Sequence, residues 1–120
     1  MLRQMLSGKI HRATVTETRL DYEGSITIDR ELMEAVGILP GELVHILNMA
    51  NGTRMETYVI EGEPGSGTIS LNGAAARWGH RGDEVIILSY VLCDGKEARR
   101  IRPRIVIVDK HNRILRKRKR

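Results

Sequence analysis

Short runs rich in β-branched residues, each ended by a glycine- or asparagine-containing turn, recur along this chain and limit it to a fold built mainly of strands. Residues 9–17 (KIHRATVTE) alternate as a half-buried strand does. Further strands are expected over residues 25–28, 43–49, 55–61, 68–71 and 84–92, with a terminal hairpin of residues 104–109 and 113–116 around His111-Asn112. Asn51-Gly52, between two strand-like runs, is a strong hairpin signal. Two short helices interrupt the pattern. Asp29 caps the first, Leu32 and Val36 share one of its faces, and Gly37 stops it. Asn72 can cap the second, through Gly73-Ala74-Ala75-Ala76-Arg77.

One segment has an echo. Gly41-Glu42-Leu43-Val44-His45-Ile46-Leu47 parallels Gly82-Asp83-Glu84-Val85-Ile86-Ile87-Leu88, and each copy follows a strand and a short helix. Two such copies suggest a pseudo-symmetric small barrel made of interlocked halves. The 120 residues fit one domain, expected over residues 1–115, with residues 116–120 as a basic tail.

The net charge of +5 raises nucleic acid as a partner, but all of it lies in the last five residues, Arg116-Lys117-Arg118-Lys119-Arg120. One Trp, three Tyr and no Phe supply a base-stacking platform poorly. A solvated, frayed terminus is the simpler reading of the tail, and nucleic acid is not the expected partner. The single cysteine, Cys93, cannot form an internal disulfide, and no Cys/His cluster has metal-ligand spacing, so no metal is expected. The N-terminal apolar run is too short for a signal peptide, and no segment approaches the ~20 apolar residues that span a bilayer. A cytoplasmic protein without a membrane partner is the expectation.

Familiar catalytic patterns are absent: no G-x-S-x-G elbow, no Walker A loop, no G-x-G-x-x-G opening a helix. Gly65-Ser66-Gly67 leads into a strand and reads as a plain loop. Gly24-Ser25 offers a different chemistry. Glycine leaves its carbonyl unshielded and tolerates strained backbone angles. A serine directly after it can attack that carbonyl. The peptide becomes an ester, β-elimination breaks the ester, and the dehydroalanine left behind hydrolyses to a pyruvoyl group. By itself, Gly-Ser is a turn dipeptide.

The context of this dipeptide closely resembles the bacterial aspartate 1-decarboxylases. The resemblance is carried by Gly8-Lys9-Ile10-His11-Arg12-Ala13, by Tyr22-Glu23-Gly24-Ser25, by Ala35-Val36-Gly37-Ile38-Leu39, by Asn51-Gly52 with Arg54 and Thr57-Tyr58, by Asn72-Gly73-Ala74-Ala75-Ala76, and by Gly82-Asp83 with Val85-Ile86-Ile87. It runs from about residue 3 to about residue 109, and the basic tail lies outside it.

That resemblance implies a mainly β fold, a double-psi β-barrel with short helices, and a homotetramer with active sites between subunits. Self-cleavage would divide the chain into residues 1–24 and 25–120, with Ser25 becoming a pyruvoyl cofactor. Thr57 is implied to donate to the oxyanion formed during backbone attack, and Asn72 to help the same step. The reaction implied is loss of the α-carboxylate of L-aspartate, giving β-alanine for pantothenate and coenzyme A synthesis. The pyruvoyl ketone, once condensed with the substrate amine, takes the electrons that carbon dioxide leaves behind. Tyr58 resembles the proton donor to Cα. Arg54 can grip one carboxylate in a bidentate fork. Lys9 resembles the second binder, and His11 lies on the same face of its strand. Backbone groups at Gly73, Ala74 and Ala75 would contact substrate. Whether a helper protein assists maturation is left open. Leu47 departs from the larger aromatic of some relatives, and Trp78 and His80 are assigned packing and surface roles.

The rival reading is a DNA-binding regulator of the swapped-hairpin barrel type, which residues 26–42 resemble as a strand, helix and strand. It needs about half the chain and leaves Thr57-Tyr58 and Asn72-Gly73-Ala74-Ala75 without a purpose. A purely structural barrel would leave Gly24-Ser25 uncut.

Overall fold

A computed structural model describes residues 1–119 of the chain. The strands are β1 (Arg3–Thr14), β2 (Glu17–Arg19), β3 (Ser25–Asp29), β4 (Leu43–Asn48), β5 (Arg54–Gly62), β6 (Ile69–Asn72), β7 (Glu84–Cys93), β8 (Arg104–Val108) and β9 (Ile114–Lys119). Helix α1 (Arg30–Val36) joins β3 to β4, a 3₁₀ helix (Gly73–Arg77) follows β6, and α2 (Gly95–Arg100) follows β7. This mainly β architecture with short helices is the fold class expected above. Among the described residues, no helix is long and apolar enough to cross a membrane.

The strands hydrogen-bond in the order β2-β6-β3-β5-β4-β7-β1-β8-β9. Two long stretches bend that order around. Residues 54–58 run antiparallel to β4, whereas residues 59–62 run parallel to β3. The β1–β2 stretch does the same between β7 and β6. Its turning point is fixed by the Val15 amide donating to Asp83 O at 2.9 Å and the Thr16 amide donating to Ile69 O at 2.8 Å. The strand order thus returns to the stretch on which it began, giving a barrel-like body. Segments β3–α1–β4 and β6–3₁₀–β7 are the two halves. β3 pairs antiparallel with β6, and β4 with β7, so the echoed sequences leading into β4 and β7 lie side by side.

The inward positions form one core of Ile10, Ile26, Ile28, Val44, Ile46, Val59, Ile69, Leu71, Val85 and Ile87, with Leu32, Met33 and Val36 of α1 packed onto it. Each such aliphatic side chain contributes about 1.5–3 kcal/mol on burial. Helix α1 begins and ends as its sequence directs. Asp29 Oδ1 accepts from the Glu31 amide at 2.8 Å, and Gly37 takes the left-handed conformation, φ +77°. Asp29 also accepts the amides of Gly65 and Gly67, tying down the 63–67 loop.

Several details differ from the sequence reading: the strand expected over residues 9–17 begins at Arg3 and ends at Thr14, and a separate β2 starts at Glu17. Helix α2 was not expected. It carries an Asp94/Glu97 capping box but buries no residue, so no apolar stripe marks it. Asn72 precedes the 3₁₀ helix without capping it, because its side chain is committed elsewhere. The terminal hairpin is also longer than residues 113–116. β9 pairs with β8 out to Lys119, so most of the basic run is strand; Arg120 lies outside the described residues.

Candidate active site

Ser25 opens β3 and is wholly buried. The β3/β6 register sets it opposite Asn72, and Thr27 opposite Ser70. These four small polar side chains share one face and satisfy one another. Asn72 Nδ2 donates to Ser25 Oγ at 3.0 Å and to Thr27 Oγ1 at 2.9 Å, and Ser70 Oγ donates to Asn72 Oδ1 at 2.8 Å. The Ser70 bond decides which end of the amide faces Ser25. Ser25 Oγ in turn donates to the backbone carbonyl of Glu23 at 2.9 Å. A buried polar group left unpaired costs about 1–3 kcal/mol, a cost these mutual bonds avoid.

Gly24 is exposed, and a Cβ there would meet nothing within 4 Å. Gly73 is its opposite. With φ +62°, a Cβ on Gly73 would stand 2.6 Å from Gly24 Cα, 2.8 Å from Gly24 N and 2.9 Å from Tyr22 O. Only a glycine lets the start of the 3₁₀ helix press against the Gly24-Ser25 junction. Ala74 is exposed beside it and Ala75 is buried. The loop before the junction is braced by the Arg19 guanidinium, 4.5 Å from the centre of the Tyr22 ring.

On the other side of β3, Val59 is paired with Ile26, which brings Tyr58 level with Ser25. Burial pushes the Tyr58 hydroxyl pKa up, and the Glu23 carboxylate, then Tyr22, push it further. Tyr58 is therefore protonated at neutral pH and able to donate. Thr57 stands opposite Val44, and the alternation of β5 sends it to the other face from Tyr58.

The cationic residues occupy the same outer face, at a distance. Lys9 pairs with Leu88, Leu88 with His45, and His45 with Glu56, a row across β1, β7, β4 and β5. Three strand spacings of ~4.8 Å separate Lys9 from β5, about 14 Å. Arg54 lies four residues from Tyr58 along β5, about 13 Å at ~3.3 Å per residue. Its Nη1 is 3.2 Å from His45 Nδ1, while His45 Nε2 is 3.9 Å from Glu56 Oε1. Arg54 can only donate, so in that contact His45 Nδ1 is the acceptor.

His11 sits two residues from Lys9, opposite Ile107 of β8. Its Nδ1 is buried without a partner among the described residues. Desolvation lowers its pKa from 6.5, the charges of Lys9, Arg12 and Arg118 lower it further, and Glu84 opposes them. Glu84 is itself engaged by Arg12 in a two-bond pair at 2.9 and 3.2 Å. A base whose folded pKa is depressed binds fewer protons than the unfolded chain, so its contribution to stability is lost as pH falls from 6.5 through the folded value. An NMR titration is expected to place the His11 midpoint below 6.5; a midpoint at or above 6.5 would contradict the desolvated, cation-flanked setting.

The pairing of β3 with β6 thus gathers Gly24, Ser25, Asn72, Gly73, Ala74 and Ala75, and β5 adds Tyr58. Lys9, His11 and Arg54 share the outer face but stand away from Ser25. The sequence reading missed Thr27, Ser70 and Glu23. Its one signal was the pair of alternating Ser-x-Thr and Ser-x-Asn segments in strands that are otherwise apolar. Among the described residues, no group of three or more His, Cys, Asp or Glu is placed to hold a metal ion.

A family model described as aspartate decarboxylase matches residues 1–115. The aspartate 1-decarboxylase of Carboxydothermus hydrogenoformans is 57% identical over 115 residues, covering 96% of this chain and 91% of that protein. That of Dehalococcoides mccartyi is 59% identical over 110 residues, with 92% and 89% covered. That of Pelotomaculum thermopropionicum is 60% identical over 115 residues, with 96% and 87% covered.

Proposed function

The chain belongs to the aspartate decarboxylase family, and on that premise we propose that it converts L-aspartate to β-alanine and carbon dioxide after cutting its own backbone between Gly24 and Ser25. The observation that carries the reading is the hydroxyl of Ser25, buried and held by Asn72 and the Glu23 carbonyl, immediately after an exposed glycine.

In maturation, Ser25 Oγ adds to the Gly24 carbonyl and its proton passes to the departing nitrogen. The resulting ester loses its carboxylate by β-elimination, and water converts the dehydroalanine to a pyruvoyl group with release of ammonia. Asn72, already bonded to the reacting hydroxyl, is the donor this face offers to the oxyanion; Thr57, implied for that role by the resemblance, stands on the opposite face of β5. The surroundings fit the product. A buried amide donor and a threonine hydroxyl flank Ser25, and Gly73 keeps backbone rather than side chain against it. Once formed, the group supplies a ketone that holds the substrate amine and accepts the electron pair left by carbon dioxide.

The chain's own residues do the rest. Arg54, oriented by His45, grips one carboxylate, and Lys9, with His11 beside it, grips the other. Backbone groups of Gly73, Ala74 and Ala75 position the substrate, and Tyr58, kept protonated, delivers the proton to Cα. Within one chain Lys9 stands three strands away from β5, and the homotetramer with active sites between subunits is taken from the family resemblance. The family resemblance further implies a cytoplasmic role supplying β-alanine for pantothenate and coenzyme A synthesis, and maturation leaves room for a helper protein.

Tyr58→Phe is expected to leave cleavage intact and lower turnover by ~10²–10⁴, the worth of a placed general acid; unchanged turnover would remove Tyr58 from the proton step. The activity itself is tested by giving the cleaved protein aspartate labelled in its α-carboxylate. Labelled carbon dioxide and equimolar β-alanine are expected, and untouched aspartate would contradict the proposal.

A further inference from the structure

The family match ends at residue 115, yet the chain continues as an ordered strand that carries three described cations, Arg116, Lys117 and Arg118. Their places follow from the register. Arg118 is opposite Ile105, which is opposite Lys9; Arg116 is opposite Ile107, which is opposite His11. Residues opposite one another in a ladder share a face, so both arginines stand on the face that bears Lys9 and His11, two strand spacings (about 10 Å) away. Lys117, opposite the core residue Val106, is turned the other way, toward Glu34 of α1. The register thus alternates the basic run between two sides, while Arg118 also lines the groove that Lys117 shares with Glu34 and Ala35 of α1. Arg118 is also close enough to His11 for its charge to be felt there.

We propose that Arg116 and Arg118 form a cationic approach to the substrate face, drawing the dicarboxylate toward Lys9 and His11. The inference rests on the function proposed above. Aspartate at neutral pH carries two carboxylates and one ammonium, a net single negative charge. A field from two exposed cations acts on it over a Debye length of ~30 Å at 0.01 M salt, but only ~8 Å at 0.15 M. Neither arginine is asked to touch the reacting atoms.

The test compares the cleaved wild type with R116Q/R118Q and R116K/R118K across a salt series, using aspartate as the probe. In R116Q/R118Q, kcat/KM is expected to fall about threefold to tenfold at ~10 mM salt and to converge on the wild type near 0.3 M. The extent of cleavage and kcat stay the same, and R116K/R118K, which keeps the charges, retains the wild-type salt slope. Equal kcat/KM in all three proteins at every salt concentration overturns the inference and leaves the arginines as a charged guard on an edge strand. A cleaved wild type that does not turn over aspartate would instead overturn the proposed function, and the inference with it.

Discussion

Ser25→Ala is expected to leave the 120-residue chain in one piece and to abolish aspartate turnover. On the proposed function the hydroxyl is the nucleophile of cleavage and the carbon that bears it becomes part of the cofactor, so no neighbour can substitute for it. The fold should tolerate the change. Asn72 Nδ2 loses one acceptor but keeps Thr27 Oγ1, and Ser70 still holds the amide oxygen, so the cost is about 1 kcal/mol. Turnover, by contrast, falls to background, a loss of at least the ~10⁶-fold that enzymes commonly provide. Gel electrophoresis and a β-alanine assay on the same preparation check both halves. Turnover that persists in an uncut chain would exclude Ser25 as the source of the catalytic group.

The second large effect is expected at Gly73, which touches no substrate atom through a side chain because it has none. In Gly73→Ala, the new methyl would have to stand 2.6 Å from Gly24 Cα at a backbone φ of +62°. The left-handed conformation alone costs a non-glycine residue about 1–2 kcal/mol. The clash is with backbone on the other side as well, so no side-chain rotation relieves it. A total of roughly 2–4 kcal/mol is expected, lowering Tm by about 10 °C. The relief must come from moving the 22–24 loop away from Asn72, and a displacement of that kind slows cleavage by at least tenfold, since ~1 Å of misplacement can cost 10²-fold. Gly24→Ala is the control. Its methyl meets nothing within 4 Å, so stability should be nearly unchanged. Wild-type stability and a wild-type cleavage rate in Gly73→Ala would show that the close approach at Gly73 has no bearing on the junction.

What could be read from the sequence was local. Asp29 and Gly37 bracket α1 because capping and left-handed stops act within a few residues, and Asn51-Gly52 turns β4 into β5 for the same reason. Residues 26–42 look like a complete regulator-type unit because they are one of two interlocked halves; the partner half begins only at β6. Asn72 shows the limit. As a neighbour of the 3₁₀ helix it reads as a cap, yet a residue 47 positions away claims its side chain. The terminal run from Arg116 reads as a solvated tail because charge dominates it. Pairing with β8 uses backbone groups, for which arginine serves as well as valine. Helix α2 escaped for the complementary reason, its capping signal being present while the apolar periodicity was not. The distance between Lys9 and Ser25 belongs to the strand order alone, and no spacing along the chain reveals it.

The mass of the purified protein tests the central claim most directly. Two chains are expected, one of 24 residues ending at Gly24 and one of 96 residues whose blocked N-terminus carries a ketone that hydrazine traps. A single intact chain that survives prolonged warming without acquiring a hydrazine-reactive carbonyl would contradict it.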